Sequence, residues 1–357
     1  MPCKPRTPTC PKWTSMSTRQ TRKRNVMREI TLSQAVNEAI AEEMRRDPTT
    51  FLLGEDVAEA GTPFKVLSGL VEEFGTDRII DTPISEPGFM GMAVGAAMTG
   101  TRPIVDLMFG DFLFLVMDQL CNQAAKQSYM SGGKLEVPLT LRTNLGATRR
   151  SAAQHSQSLQ ALVCHIPGLK VAMPSSAYEA KGLMKTAIRD NNPVVIIEDK
   201  LMYQEKAAVP EEEYLIPFGE AAVLRSGRDI TLIATSSMVQ VALKAADTLA
   251  ADGIEVEVID PRTLVPLDEE TLVSSVRKTS RAMVIDEGHQ NYGITGEIAS
   301  RVAEKAFYYL DAPVQRFGAM DVPVPFSPVL EDLTVPTAEA VAERARAAVE
   351  GRLDDVA

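Results

Sequence analysis

The stretch Arg102–Thr143, RPIVDLMFGDFLFLVMDQLCNQAAKQSYMSGGKLEVPLTLRT, holds two short apolar runs with a longer segment between them. The runs at 102–109 and 137–143 are typical of buried strands. The segment between them, 111–132, has the length and composition of a helix. Since parallel strands are joined by a crossover of this kind, the stretch predicts a parallel βαβ unit.

The same alternation continues along the chain in both directions. A first helix is predicted from Thr31, because apolar residues recur at helical spacing until Asp47 and Pro48. Further strands are predicted at 50–56, 169–174, 193–199, 229–236, 254–260, 281–287 and 313–318. Further helices are predicted at 176–192, 239–251, 267–278 and 295–310. The fold class expected is α/β, with two doubly wound domains and mostly parallel sheets.

A chain of 357 residues exceeds the usual size of one domain. We predict a disordered basic extension at 1–27, a first domain at 28–204 and a smaller second domain at 218–352. The Pro- and Glu-rich segment 205–217 is the predicted linker. The extension also has the composition of a mitochondrial transit peptide, or it precedes a translation start at Met16 or Met27. The expected location is the cytoplasm, or the mitochondrial matrix if the extension is a transit peptide.

Composition narrows the classes of function. The formal charge of -11 argues against nucleic acid or an anionic membrane as the main partner. The apolar runs are too short to cross a bilayer. The four cysteines form no CxxC pair, so neither a zinc site nor a disulfide framework is predicted. GxGxxG, P-loop, HExxH and GxSxG motifs are absent.

The candidate site residues lie in loops at predicted strand ends, where open α/β sheets bind their ligands. Glu55 follows one strand, and Glu86 stands between the loop TPIS and an apolar, Gly- and Ala-rich helix with no Lys or Arg. His155 lies in a polar loop. A carboxylate in an apolar setting can exchange a proton with a ligand nitrogen, and a histidine adds a second acid/base group. Alternatively, Glu86 is a first-turn charge favoured by the helix dipole, and His155 is a surface residue.

The order of motifs resembles one family, the beta subunits of thiamin-diphosphate-dependent 2-oxo acid dehydrogenases, together with acetoin dehydrogenase beta subunits. The resemblance runs from about Met27 to Arg352. It is carried in order by LLGEDV, RIIDTPISEPGFMGMAVGAAMTGTRPIVDLMF, DQLCNQAAKQSYMSGG, AAQHSQS, HIPGLKVAMPS, AKGLMKTAIRDNNPVVIIEDKLMY and VPFSPVLED. It implies a pyrimidine-binding transketolase-like domain followed by a smaller C-terminal transketolase-like domain.

The resemblance also implies roles for individual residues. Glu86 would hydrogen-bond a pyrimidine nitrogen of thiamin diphosphate, and Glu55 would approach the same pocket. Ile84, Met108 and Phe112 would form the wall around the pyrimidine ring. His155 would assist acyl transfer to the lipoyl group of a partner acyltransferase.

A GDG motif, which binds magnesium and the diphosphate in thiamin enzymes that work alone, does not occur here. The resemblance therefore implies an alpha subunit that supplies that half of the site, in an α2β2 tetramer, and a lipoyl-bearing acyltransferase core. It also implies a potassium-binding loop formed by Leu139, Ala187, Ile188, Asp190 and Asn192.

Several alternatives remain open at this point. The substrate is a pyruvate-like 2-oxo acid, another 2-oxo acid or acetoin. From a different class, a coenzyme A transferase uses a glutamate that attacks a thioester, and ISEPGF permits that chemistry. A non-enzymatic interaction subunit is the third option. His289 is either a second pocket residue or an ordinary loop residue.

Overall fold

The computed structural model describes residues 26–352. The extension predicted at 1–27 therefore lies almost wholly outside the described residues. Met27, its last residue, begins the first strand. In the described part, no helix has the length and apolar character needed to cross a membrane.

The first part of the chain alternates strands and helices, as the apolar runs predict. Strands β1 to β8 span Met27–Thr31, Thr50–Gly54, Ile79–Asp81, Arg102–Leu107, Thr140–Leu145, Lys170–Ala172, Val194–Asp199 and Lys206–Pro210. Helices α1 to α7 span Leu32–Arg46, Leu70–Phe74, Glu86–Met98, Leu113–Met117, Ala125–Met130, Gln160–Cys164 and Ala177–Arg189. Thr31 caps α1 through a capping box with Gln34, which explains why that helix begins where polarity changes.

The second part of the chain also alternates strands and helices. Strands β9 to β14 span Ala222–Arg225, Ile230–Ala234, Val256–Asp260, Thr263–Val265, Ala282–His289 and Gln315–Ala319. Helices α8 to α12 span Met238–Ala251, Glu269–Thr279, Ile294–Ala306, Pro328–Glu331 and Ala338–Glu350.

Two sheets organise the chain. The larger has the order β12-β6-β7-β5-β4-β2-β3 and is parallel except for β12. The smaller has the order β14-β13-β10-β11-β9 and is parallel except for β9. Apolar cores cover both faces of each sheet. The α/β fold with two mostly parallel sheets is confirmed.

Five short strands show what apolar periodicity misses. β8 lies within the predicted linker and pairs antiparallel with β1. β1, β3, β9 and β12 were not predicted, and β12 leaves the second part of the chain to pair with β6 of the first sheet. These strands are short, and long-range backbone pairing holds them in place. The domain boundaries given above stay a prediction.

The helix predicted at 111–132 is interrupted in its middle. A 3₁₀ turn at Gly110–Phe112 leads into α4, and a π-helical segment at Asp118–Ala124 joins α4 to α5. Such π segments occur often beside functional sites. Here the segment packs against α3, the helix that begins with Glu86.

The contact between the two sheets includes a buried carboxyl group. Asp260, at the end of β11, accepts hydrogen bonds from the Ser175 hydroxyl and, at 2.7 Å, from the Arg262 backbone N–H. Burial raises the pKa of Asp260 to about 7, and the nearby charge of Glu179 adds to the rise. The folded chain therefore retains this proton at pH values where the unfolded chain has lost it.

We expect Asp260→Asn to flatten the pH dependence of stability. Because the folded pKa is raised from the ordinary value of 3.8 to about 7, the contribution of Asp260 to stability falls as pH rises through that window. Asparagine does not titrate, so the variant should lose less free energy of unfolding than the wild type between pH 5 and pH 8. Urea unfolding at both pH values measures this, with the exposed Asp77→Asn as control. Equal losses in wild type and Asp260→Asn would contradict the assignment.

Candidate active site

Two buried carboxyl groups lie side by side at the carboxyl edge of the large sheet. Glu55 follows β2 directly, and Glu86 is the first residue of α3, after the loop that leaves β3. β2 and β3 are parallel neighbours, with Gly54 opposite Asp81, so the two loops leave the sheet together. Glu55 is 8% exposed and Glu86 is 7% exposed.

Burial and a neighbouring carboxylate both act on Glu55. Burial raises the pKa of Glu55, and the charge of Glu86 raises it further; the backbone N–H of Ser85 opposes the rise. The Oε1 atom of Glu55 is buried and has no hydrogen-bond partner. No side chain or backbone donor in residues 26–352 bonds the carboxylate of Glu86. Two carboxyl groups are thus held together with acceptor atoms left for a ligand.

Ile84, two residues before Glu86, faces outward. Ile84 is 86% exposed, which is unusual for a large aliphatic side chain in a turn. The helix α3 that follows is apolar apart from Glu86, and its Met92 and Gly95 are exposed. A helix that is apolar on all sides is normally buried. This face of the chain is therefore suited to being covered.

His155 lies in an aromatic cluster at the same edge of the sheet. Its ring centroid is 4.5 Å from that of Phe109 and 5.6 Å from that of Phe112. Met108 precedes this cluster at the end of β4, and its carbonyl accepts a hydrogen bond of 2.8 Å from Asn144 Nδ2. The aromatic rings fix the plane of the imidazole and leave it half-buried.

The structure thus places the predicted residues in two groups on adjacent strands. Glu55, Ile84 and Glu86 follow β2 and β3, whereas Met108, Phe112 and His155 lie after β4 and β5. Strand β2 pairs with β4, with Gly54 opposite Asp106, and α3 packs on α4 just after Phe112. Parallel pairing brings both groups to one edge of one sheet.

The loop predicted to bind potassium is a compact turn whose oxygens already have protein donors. Arg102 Nη1 donates to the carbonyls of Ile188, at 3.2 Å, and Asp190, at 2.9 Å. The Asp190 carboxylate accepts from Lys170 and Asn192. The carbonyls of Leu139 and Ala187 accept from backbone N–H groups. A cation here would share its oxygens with Arg102, so the geometry gives potassium no independent support.

Sequence reasoning missed two residues that contact His155. Phe109 was not among the predicted site residues, but its ring packs on that of His155. Lys200 was not considered as a site residue. It directly follows β7, which ends at Asp199, and the other candidate residues were also sought in loops after strand ends. His289 is half-buried at the end of β13, and its Nδ1 lies 2.8 Å from the carbonyl oxygen of Met320. That contact suits a residue of a loop junction.

Comparison with known proteins identifies the family of this chain. Residues 28–206 match the family described as "Transketolase, pyrimidine binding domain", and residues 219–341 match "Transketolase, C-terminal domain". A solved structure titled "Split gene transketolase, inactive beta4 tetramer" superposes with a TM-score of 0.73 at 25% identity, covering 90% of this chain and 98% of that one. The class is therefore a transketolase-like chain with a pyrimidine-binding domain and a C-terminal domain.

Two curated relatives define the class more narrowly. The subunit beta of acetoin:2,6-dichlorophenolindophenol oxidoreductase from Bacillus subtilis is 51% identical over 326 residues, covering 88% of this chain and 95% of that one. The pyruvate dehydrogenase E1 component subunit beta of Rhizobium meliloti is 46% identical over 322 residues, covering 90% and 70%. This chain belongs to the family of pyruvate and acetoin dehydrogenase beta subunits, which are components of oxidoreductase complexes. Membership implies dependence on thiamin diphosphate, an alpha subunit and a complex with an acyltransferase core.

The residues present fit thiamin diphosphate in part. The buried Glu55 oxygen without a partner and the donor-free carboxylate of Glu86 suit a ring that carries both donor and acceptor nitrogens. Among residues 26–352, no group of three or more His, Cys, Asp or Glu could hold a metal ion.

Proposed function

We propose that this chain is the beta subunit of a component that oxidatively decarboxylates a pyruvate-like 2-oxo acid and transfers the acyl group to a lipoyl group. The observation that carries the proposal is the buried pair Glu55 and Glu86, with free acceptor atoms, at the sheet edge that also holds His155.

The chain's own residues have three roles in this proposal. Glu86 holds and returns a proton at a pyrimidine ring nitrogen, and its apolar setting with no cation nearby permits that exchange. Glu55, whose pKa is raised by burial and by the charge of Glu86, is the second carboxyl group of the pocket. Ile84, Met108 and Phe112 form the apolar wall of the pocket. When bound, thiamin diphosphate supplies the nucleophilic carbon and the electron sink for decarboxylation.

His155 is proposed to act in the second half of the reaction. Its imidazole is an acid/base group that can give a proton to a sulfur or oxygen atom during acyl transfer. The rings of Phe109 and Phe112 restrict its orientation. An oriented acid/base group of this kind is required because proton transfer depends strongly on geometry.

The alpha subunit is proposed to complete the site in an α2β2 tetramer. The exposed apolar face of α3 and the exposed Ile84 are suited to cover by a partner chain. Magnesium and the diphosphate would be held by that partner. The structurally similar split-gene transketolase chain is named as an inactive beta4 tetramer, which agrees with the need for a second kind of chain.

Acetoin is the second candidate substrate, because the relative from Bacillus subtilis at 51% identity is named for acetoin. The family assignment favours both readings over a coenzyme A transferase.

Potassium at the 187–192 turn stays a proposal, to be tested by thermal unfolding of the chain with and without potassium chloride. A cytoplasmic location, or the mitochondrial matrix, also stays a proposal, to be tested by cell fractionation.

Reconstitution with the alpha subunit tests the proposed function. Turnover of pyruvate, branched-chain 2-oxo acids and acetoin is measured with an artificial electron acceptor, with and without thiamin diphosphate and magnesium. We expect activity that requires both chains and the cofactor, and the preferred substrate identifies the enzyme. Activity of this chain alone, or none from a well-assembled complex, would refute the shared site.

A further inference from the structure

The loop that carries His155 has a strained backbone. Between Gly146 and Ser156, three residues other than glycine have positive φ: Thr148 at 66°, Arg150 at 59° and Ala152 at 60°. Each costs free energy, so such a loop persists only where surrounding contacts over-determine it. The position of His155 therefore depends on what holds the loop.

Lys200 contacts this loop near both of its ends. Its side-chain Nζ donates a hydrogen bond to the backbone carbonyl of His155. Its own carbonyl accepts hydrogen bonds from Arg149 Nε, at 3.1 Å, and Arg149 Nη2, at 2.9 Å. One residue thus joins the start of the strained segment to its end.

The ammonium group of Lys200 is unusual in its surroundings. Lys200 is 0% exposed. Within the described chain, its ammonium group makes one hydrogen bond, to the backbone carbonyl of His155. No carboxylate of residues 26–352 lies within 4.0 Å of it. Its Nζ lies 5.6 Å from the centroid of the Phe109 ring, which also packs on His155.

The charge is nevertheless compensated at longer range. Burial lowers the pKa of Lys200, whereas Asp111, Glu287, Asp199 and Glu331 raise it. These acids come from both halves of the chain, and two of them also hold the loop. Glu331 accepts from the backbone N–H of Thr148 at 2.6 Å, and Asp111 accepts from that of Gln157 at 3.2 Å. Burying a cation whose one hydrogen bond goes to a backbone carbonyl is not explained by stability alone. The contact is better explained by a role of Lys200 at the loop.

We propose that Lys200 is a positioning residue that holds the His155 loop in the geometry needed for acyl transfer. The inference rests on the proposed role of His155. Without the ammonium group, the carbonyl of His155 loses its donor and the loop can relax toward less strained φ values. A shift of about 1 Å in a reacting group can cost about 100-fold in rate.

The test compares two half-reactions of the assembled alpha–beta enzyme. The first is decarboxylation with an artificial electron acceptor, which does not need acyl transfer to a lipoyl group. The second is acylation of a separately purified lipoyl domain. For Lys200→Met, which keeps an unbranched side chain one atom shorter and removes the donor, we expect kcat for lipoyl acylation to fall about 10- to 100-fold. The rate of decarboxylation should change less than about 3-fold, because the substitution leaves Glu55 and Glu86 untouched.

Two further variants make the result specific. Lys181→Met removes another fully buried ammonium, which pairs with Glu38 and Glu42 on α1. It should leave the ratio of the two rates at the wild-type value. His155→Ala should lower lipoyl acylation at least as much as Lys200→Met. Because both assays use one preparation, a loss of folded enzyme cancels in the ratio.

The outcomes separate the two proposals. If His155→Ala leaves lipoyl acylation intact, the role proposed for His155 fails. If His155→Ala impairs acylation while Lys200→Met preserves the wild-type ratio, the positioning role of Lys200 is overturned. Should Lys200→Met not assemble, Lys200→Gln is used, and an unchanged ratio in that variant overturns the inference equally.

Discussion

Glu86→Gln in the assembled alpha–beta enzyme is expected to lower kcat by about 10²- to 10⁴-fold, the usual range for removal of a positioned acid/base group. Glutamine has nearly the shape of glutamate but cannot hold and return a proton. The carboxylate of Glu86 has no hydrogen-bond donor within the described chain, so the substitution breaks no internal hydrogen bond. Steady-state decarboxylation with an artificial electron acceptor, at saturating thiamin diphosphate, measures the loss.

Glu339→Gln is the matched control for this variant. Glu339 lies in the first turn of α12, a helix as long as α3, and is exposed. Both substitutions remove a first-turn charge, which costs about 0.3–1 kcal/mol of stability through the helix dipole. Only Glu86→Gln should lose activity. Equal and near-complete activity in both variants would mean that Glu86 is a helix-dipole charge, and the chain would then fit a non-enzymatic interaction subunit.

Arg142→Met is expected to lower the free energy of unfolding by about 3–5 kcal/mol, as is usual when one member of a buried ion pair is removed. The Arg142 guanidinium bonds the carboxylates of Asp106 on β4 and Glu198 on β7, and all three side chains are at most 2% exposed. Burial raises the pKa of both carboxyl groups, and Arg142 opposes that rise. Without the arginine, two buried acids lose their counter-ion in the middle of the sheet.

Urea unfolding followed by circular dichroism measures this loss. The control is Arg45→Met, which breaks an exposed pair with Glu73 and should cost much less than Arg142→Met. The Arg142 network lies beneath the strand ends that carry Met108 and His155. A loss for Arg142→Met as small as that of the control would show that the buried network contributes little to the stability of this sheet.

Much of the site could be predicted because its chemistry is local in the chain. Glu86 stands out through its own neighbours, an acid between prolines at the start of an apolar helix. His155 stands out in a polar loop. Phe109 and Lys200 have no such signal, because an aromatic residue after a strand and a lysine after an aspartate are ordinary sequence. The role of Phe109 depends on the contact of its ring with His155. The role of Lys200 depends on its hydrogen bond to His155, which lies 45 residues away in the sequence.

By itself, the sequence determined the α/β class and the placement of most strands and helices, because burial on both faces leaves apolar runs and helical spacing in the chain. The tertiary structure alone decided where the irregular strands pair. β12 joins the first sheet, and β8 closes on β1. It also decided that Lys200 holds the carbonyl of His155. Such contacts join residues far apart in sequence, and backbone pairing between distant segments leaves no periodic mark on either partner.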